Sequence, residues 1–341
     1  DMDCTVFTSD SQFFQYWDGS KNMAGYEFTP PTQKVSMPFR KFVETIRREG
    51  DSDKDVNRKT DSQKDTNSKT DKTMQYYLQQ MLVTGMGDQI LQDFKEVDWA
   101  TIYAWKDALD FGELTTNLLL VGQKGHVTPA HYDEQHNFFS QLEGRKQVLL
   151  YAPSDWDKLY PYPVHHACDR QSQVDLFKRG VWPTTSTSQL ATTAAFDEAD
   201  AAKYPKFARA TAFEACVLPG EMLYIPSYWW HHIWSLEETV SLTFWFKCGP
   251  PASITLPISA MQKVALRRNI ETQMANLGGG GKSVRELLQA MEKGLLSDAQ
   301  TSILAQVKLL LKHVLAEHEI QDFLEELAAH RFDLPLLLSH T

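Results

Sequence analysis

The sequence predicts a mixed α/β fold whose core is a mainly antiparallel β barrel or sandwich, with helices on its flanks. Three observations predict it. Short β-branched and aromatic runs, separated by Gly and Pro turn signals, fill residues 115–257. Helical patterns lie before and after them, which argues against a pure β class. At 341 residues, 42% hydrophobic and 23% charged, the chain has ordinary globular composition and the length for a large core plus an appendage.

The elements follow in order. CTVF alternates as a strand, FFQYWD is an aromatic patch, and FRKFVETIRRE has helical spacing. The chain opens on strand-like DMDCTVF, so it is expected to start inside a domain. Residues 51–73 carry Val56 as their single apolar side chain and set six aspartates against six lysines and arginines. Such a stretch buries too little to offset its own ordering entropy, and a disordered insertion is expected. Residues 74–110, with MQYYLQQMLVTGMGDQILQDF, read as helical. Strand-like runs follow as NLLLVG, RKQVLLYAP, EACVLPG, EMLYIPS and VSLTFWFKCG, interrupted by a loop insertion at 177–200. From 258 the helix SAMQKVALRRNIETQMANL runs into glycines 278–281, and Ser283 with Glu286 has capping-box spacing. Over 297–333, Ile303, Val307, Leu310, Leu311, Val314 and Leu315 form an apolar stripe that needs a covering surface, either its own barrel or a partner subunit.

The net charge of −10 argues against direct nucleic-acid binding, which usually shows a basic face. Cys4, Cys168, Cys216 and Cys248 stand far apart, a spacing that suits a reducing compartment better than a disulfide framework. No stretch has the apolar length of a membrane span, so no membrane partner is expected.

Chemistry concentrates in TPAHYDEQHNFF, residues 128–139. On a strand His131 and Asp133 share a face while Tyr132 points away. An imidazole and a carboxylate are two members of the 2-His-1-carboxylate triad that suits non-haem Fe(II). EMLYIPSYWWHHIW offers the third, and since strand neighbours alternate, only one of His231 and His232 can face the metal. His126, His136, His165 and His166 are read as loop or strand-edge residues with local hydrogen bonds. Lys146, thirteen positions after Asp133, reads as lying on the next strand and facing the interior, where an ammonium needs an anion. A dicarboxylate cosubstrate would supply it, with the hydroxyls of Thr128 and Tyr77 completing the cradle.

Several long strings, NLLLVGQKGHVTPAHYDEQHNFFSQLEGRKQVLLYAP, LYPYPVHHACDRQSQVD, PGEMLYIPSYWWHHI and SAMQKVALRRNIE, resemble the JmjC-type 2-oxoglutarate oxygenases, and among them the asparaginyl hydroxylases. The resemblance implies a double-stranded β-helix (jelly-roll, cupin) over 1–257, a helical dimerisation region at 258–296 and a helical extension at 297–341. It implies His131, Asp133 and His231 as iron ligands, with 2-oxoglutarate and O₂ as cosubstrates. It implies Lys146, Thr128 and Tyr77 at the distal carboxylate, Asn137 near the metal-bound end, and Leu118 and Leu120 as pocket walls. Gln171 and Arg170 would hold the target amide and peptide, and Gln135, Tyr16, Gln79 and Trp245 would line the peptide groove. Leu288 matches an apolar residue of a dimer-forming helix pair, so a homodimer is expected. The chain departs at Thr243, where these hydroxylases carry an asparagine.

The implied reaction is β-hydroxylation of asparagine in hypoxia-inducible-factor activation domains and ankyrin-repeat segments, in cytoplasm and nucleus. Lysine demethylation or lysyl hydroxylation on the same scaffold is one competitor. An inactive cupin-like binding protein is another, and it would be expected to show a broken triad or a lost lysine.

Overall fold

The structure is a computed structural model and describes residues 2–21, 29–56, 74–82, 87–176, 198–249 and 256–328. It begins with strands β1 (Asp3–Ser9) and β2 (Thr32–Pro38), helix α1 (Phe39–Val56) and strand β3 (Gln75–Met81). Helices α2 (Asp88–Lys95) and α3 (Trp99–Ala108) lead into β4 (Leu114–Gly122), β5 (Val127–Tyr132), β6 (His136–Glu143) and β7 (Lys146–Tyr151). A short helix, α4 (Glu198–Lys203), precedes β8 (Ala212–Val217), β9 (Met222–Ile225), β10 (Trp230–Ser235) and β11 (Thr239–Phe246). Then come α5 (Ala260–Gly278), α6 (Gly281–Lys293), α7 (Asp298–Leu311) and α8 (Glu317–Ala328). None of the described helices is long and apolar enough to cross a membrane.

The strands form a seven-stranded sheet, β2-β1-β3-β4-β11-β6-β9, and a four-stranded sheet, β5-β10-β7-β8. Their pairings are antiparallel, as the sequence pattern predicts. Tyr77, Leu120, Phe139 and Ile225 of the larger sheet pack on Val148, Leu150, Val217 and Ile233 of the smaller one. That layer seals the two sheets together and is the floor on which the site is built.

Four sequence expectations need correction. Gln75–Met81 is a strand, not a helix. It hydrogen-bonds to β1 on one side and β4 on the other, and this double pairing, helped by the β-prone Tyr76 and Tyr77, overrides an ambiguous apolar spacing. The helix α1 continues to Val56, six residues into the stretch expected to be disordered, because an established helix adds each residue with one new backbone bond. The rest of that stretch, 57–73, and most of the 177–200 insertion lie outside the described residues, although Glu198–Lys203 is helical. Ser283 lies inside α6 and does not cap it. Gly279 and Gly280 take φ of +87° and +127°, closing the turn so tightly that the helix restarts at Gly281. The capping boxes fall instead at Ser259–Gln262 and Ser297–Gln300.

The apolar stripe is the fourth, covered neither by the barrel nor by a partner but by helices of its own module. Val307, Leu311 and Leu315 pack with Leu287, Leu288, Ile270 and Met274 in a core made by α5–α8 of the same chain, with Ile303 and Val314 packed against it. Leu288 is fully buried in this core. Leu310 is 46% exposed and does not join that core.

Candidate metal centre

Strand register creates the centre. In the β5–β10 ladder His131 stands directly opposite His231, and the two rings lie 4.1 Å apart between centroids. Asp133 follows two residues after His131, just past the end of β5, and its Oδ2 lies 3.7 Å from His231 Nε2. One donor atom from each of the three lies within 4.8 Å of the others. His131 Nδ1 donates to the Pro129 carbonyl at 2.9 Å, and His231 Nδ1 donates to the Trp229 carbonyl at 3.1 Å. A carbonyl can only accept, so both rings carry their proton on Nδ1 and turn the Nε2 lone pair inward. This is the orientation that metal-ligating histidines take. Burial, helped by the neighbouring His131, pulls His231 down to about 4, which keeps it neutral for coordination. Burial alone would push the Asp133 carboxyl up, but His131, His231, Arg170 and a 3.3 Å bond from Trp245 Nε1 hold it below its ordinary value. His232 is the other member of the pair and faces away, its ring 4.0 Å from Trp234.

The donor set therefore fits a divalent transition metal held by two nitrogens and one oxygen, with the open side toward a cavity of about 640 Å³. Thr128, Tyr77, Asn137, Leu118, Leu120 and Thr243 line that cavity beside the triad. Tyr16, Gln79, Gln135, Arg170, Gln171 and Trp245 line it as well. Asn137 is 3% exposed and its Oδ1 has no hydrogen-bond partner among the described residues, a buried acceptor that a bound group would satisfy. Thr243 spends its hydroxyl on the Leu118 backbone, at 3.3 Å from the amide and 3.5 Å from the carbonyl.

Lys146 is 2% exposed. Its ammonium stands 5.1 Å from the Phe139 ring centre and 5.8 Å from that of Tyr77, both of which line the cavity. Among the described residues no carboxylate pairs with it, and burial pulls it down to about 7. The Tyr77 hydroxyl is bonded to Thr128, so an ammonium, a phenol and a hydroxyl converge where an anion would be gripped. The geometry suits the far carboxylate of a diacid whose near end reaches the metal.

Some placements differ from expectation. Lys146 lies two strands beyond β5 in sequence, yet β7 and β5 are the two hydrogen-bonded neighbours of β10. Gln171 is 3% exposed and its amide nitrogen donates to the Tyr16 carbonyl, so that end of the side chain is already engaged. His126 is not an edge residue. It is buried between Phe14 and Tyr77, with centroids at 4.3 and 3.8 Å, and neither ring nitrogen has a partner among the described residues. Burial, with Lys146 beside it, holds it neutral. Sequence reasoning missed the apolar walls Phe14, Phe139, Ile225 and Ile233. The period-two alternation that puts Asn137 inward also puts Phe139 there, a signal that could have found it.

Known proteins place this site in a family. The stretch 10–250 matches the model described as "Cupin-like domain". Lysine-specific demethylase JMJ30 of Arabidopsis thaliana is 38% identical over 136 residues, 40% of this chain and 27% of that one. Lysine-specific demethylase 8 of Danio rerio is 36% identical over 138 residues, 40% and 28% of the two chains. The bifunctional peptidase and (3S)-lysyl hydroxylase JMJD7 of Homo sapiens is 27% identical over 165 residues, 46% and 48% of the two. The chain thus spans about a quarter of the two demethylases and about half of the hydroxylase. With the family model covering most of its length, this chain belongs to the Cupin-like domain family.

Proposed function

We propose that the chain is an Fe(II)- and 2-oxoglutarate-dependent oxygenase that hydroxylates a side chain in an extended protein segment, with the β-carbon of asparagine as target. The observation that carries the reading is the meeting of His131, Asp133 and His231 in one cavity with the unpaired acceptor of Asn137, close to the uncompensated ammonium of Lys146. Bound iron and 2-oxoglutarate supply the oxidant, converting O₂ and the diacid to succinate and CO₂ as one oxygen atom enters the substrate. The residues of the chain do the rest. His131, Asp133 and His231 hold the metal on one side only, and Lys146, Tyr77 and Thr128 bind and orient the diacid. The apolar walls Leu118, Leu120, Ile225 and Ile233 exclude water from the cavity.

The asparagine assignment is supported by an amide-rich cavity wall, with Gln15, Gln79, Gln135 and Gln171 among its lining residues, and by the resemblance to asparaginyl hydroxylases. Activation-domain and ankyrin-repeat segments are the proposed substrates. A second reading has its own support, since the three relatives above are named for lysine chemistry. The test incubates the protein with iron, 2-oxoglutarate and O₂ beside asparagine-bearing, lysine-bearing and methyl-lysine peptides, and follows succinate and peptide mass. One added oxygen on asparagine supports the assignment. Turnover confined to the lysine peptides transfers the site to the second reading, and a His131→Ala protein that still makes succinate removes the site from the reaction.

A further inference from the structure

We infer that Arg268, on α5 outside the barrel, is a positioning residue that fixes Asp133 and the Arg170–Gln171 segment relative to the two histidines. The inference rests on the oxygenase reading above. Asp133 lies beyond the end of β5, so the strand ladder that sets His131 against His231 does not set its carboxylate. Its two chain neighbours are held by one guanidinium. Arg268 Nε meets Glu134 Oε1 at 2.6 Å, and Arg268 Nη1 donates to the Tyr132 hydroxyl at 3.2 Å. The same group forks onto Asp169, Nη1 to Oδ1 at 2.7 Å and Nη2 to Oδ2 at 2.9 Å.

Asp169 anchors the second segment. It is 3% exposed, also takes Lys21 Nζ at 2.7 Å, and directly precedes Arg170. Arg170 adopts φ of +69°, a conformation that a residue with a Cβ holds only when its surroundings enforce it. Its carbonyl accepts from Tyr132 N at 3.0 Å and its guanidinium lies 3.7 Å from Asp133 Oδ1, while Gln171 bridges to His131. Arg268 thus joins the residues on both sides of the carboxylate ligand to the loop that faces the cavity. Arg267 braces the arrangement from behind, donating to the Tyr132 hydroxyl at 2.7 Å and to Glu271 at 3.0 Å. Only a planar fork with several donors reaches two carboxylates and a phenol at once, so lysine is not an equivalent.

The test is a visible-absorption titration of the metal-free protein with Co(II), with no turnover involved, on wild type, R268Q, R268K and E134Q. Near-UV circular dichroism and melting report folding separately. R268Q is expected to weaken cobalt binding about 10–100-fold, the usual effect of losing a residue that orients a ligand, with R268K recovering part of it. A folded R268Q that binds cobalt within about twofold of wild type overturns the role. Should R268Q fail to fold, E134Q neutralises only the carboxylate of this contact, at a side chain that is 43% exposed. It is then expected to weaken cobalt binding several-fold, and an unchanged affinity overturns the inference. Wild-type protein that takes up no cobalt overturns the oxygenase reading itself, an outcome separate from either variant.

Discussion

The barrel surrounds its cavity with buried groups that are expensive to bury: Lys146, His126, His231, Asn137 and Thr243 are each under 4% exposed. The α5–α8 module packs Ile270, Met274, Leu287, Leu288, Val307, Leu311, Phe323 and Leu324 against one another, and its buried ion pair, Arg267–Glu271, belongs to the helix that touches the barrel. The difference separates two jobs. Apolar burial in the module supplies stability in proportion to area. Around the cavity, desolvated polar groups cost stability until a metal and an anion compensate them.

The sharpest break removes the compensating chemistry alone. His231→Ala should abolish succinate formation and cobalt uptake while the module's melting stays intact, and loss of both together would mean that the regions are not separable. Lys146→Met should weaken 2-oxoglutarate binding by about 2–5 kcal/mol, the cost of truncating one partner of a buried charge pair. The metal- and ligand-free protein should meanwhile melt higher, because a lone ammonium has left the core. Calorimetric titration and melting curves read the two opposite signs. Leu288→Ala should cost about 2–5 kcal/mol in urea unfolding yet leave cobalt affinity per folded molecule unchanged.

pH sharpens the contrast further. Lys146 titrates near 7 in the folded chain and at 10.5 ordinarily, so between those values the unfolded chain holds a proton that the folded one has shed. The penalty for burying this ammonium is full below pH 7 and fades as pH rises toward 10.5, so its destabilising effect declines with pH. Binding a diacid runs the other way. The site must take up a proton above pH 7, so affinity should fall by up to about tenfold per pH unit, and proton uptake at pH 8.5 should show as a buffer-dependent binding enthalpy. Wild type without that dependence, or Lys146→Met with it, would place the proton elsewhere. The smallest effect is expected at Ser297→Ala, where losing the capping box of α7 should cost about 1 kcal/mol in urea unfolding.

Legibility in the sequence follows the range of the interactions. The strands from 115 onward announce themselves by local alternation, as do the helices of the module. The metal ligands are partly local, since H-x-D on a strand shares a face, but the choice of His231 over His232 depends on register with a segment about a hundred residues away. β3 is hidden because MQYYLQQML fits either period, and only β1 and β4 on its two sides decide it. Lys146 stands out in sequence as a cation in an otherwise apolar strand. Arg268 does not, because arginine on a helix is usually solvated and its partners Glu134 and Asp169 are distant along the chain.

The ladder between β5 and β10 shifts register between His231 and Ile233, where Pro129 and Ala130 of β5 together stand opposite the single residue His232. That irregularity is a spacer of one residue. It lets Trp230 and His231 answer to Tyr132 and His131 while Ile233 and Trp234 answer to Thr128 and Val127. A single-codon deletion upstream, between Tyr228 and Trp230, would bring His232 opposite His131, so the chain could keep a histidine at the centre while the aromatic packing behind it slipped by one place.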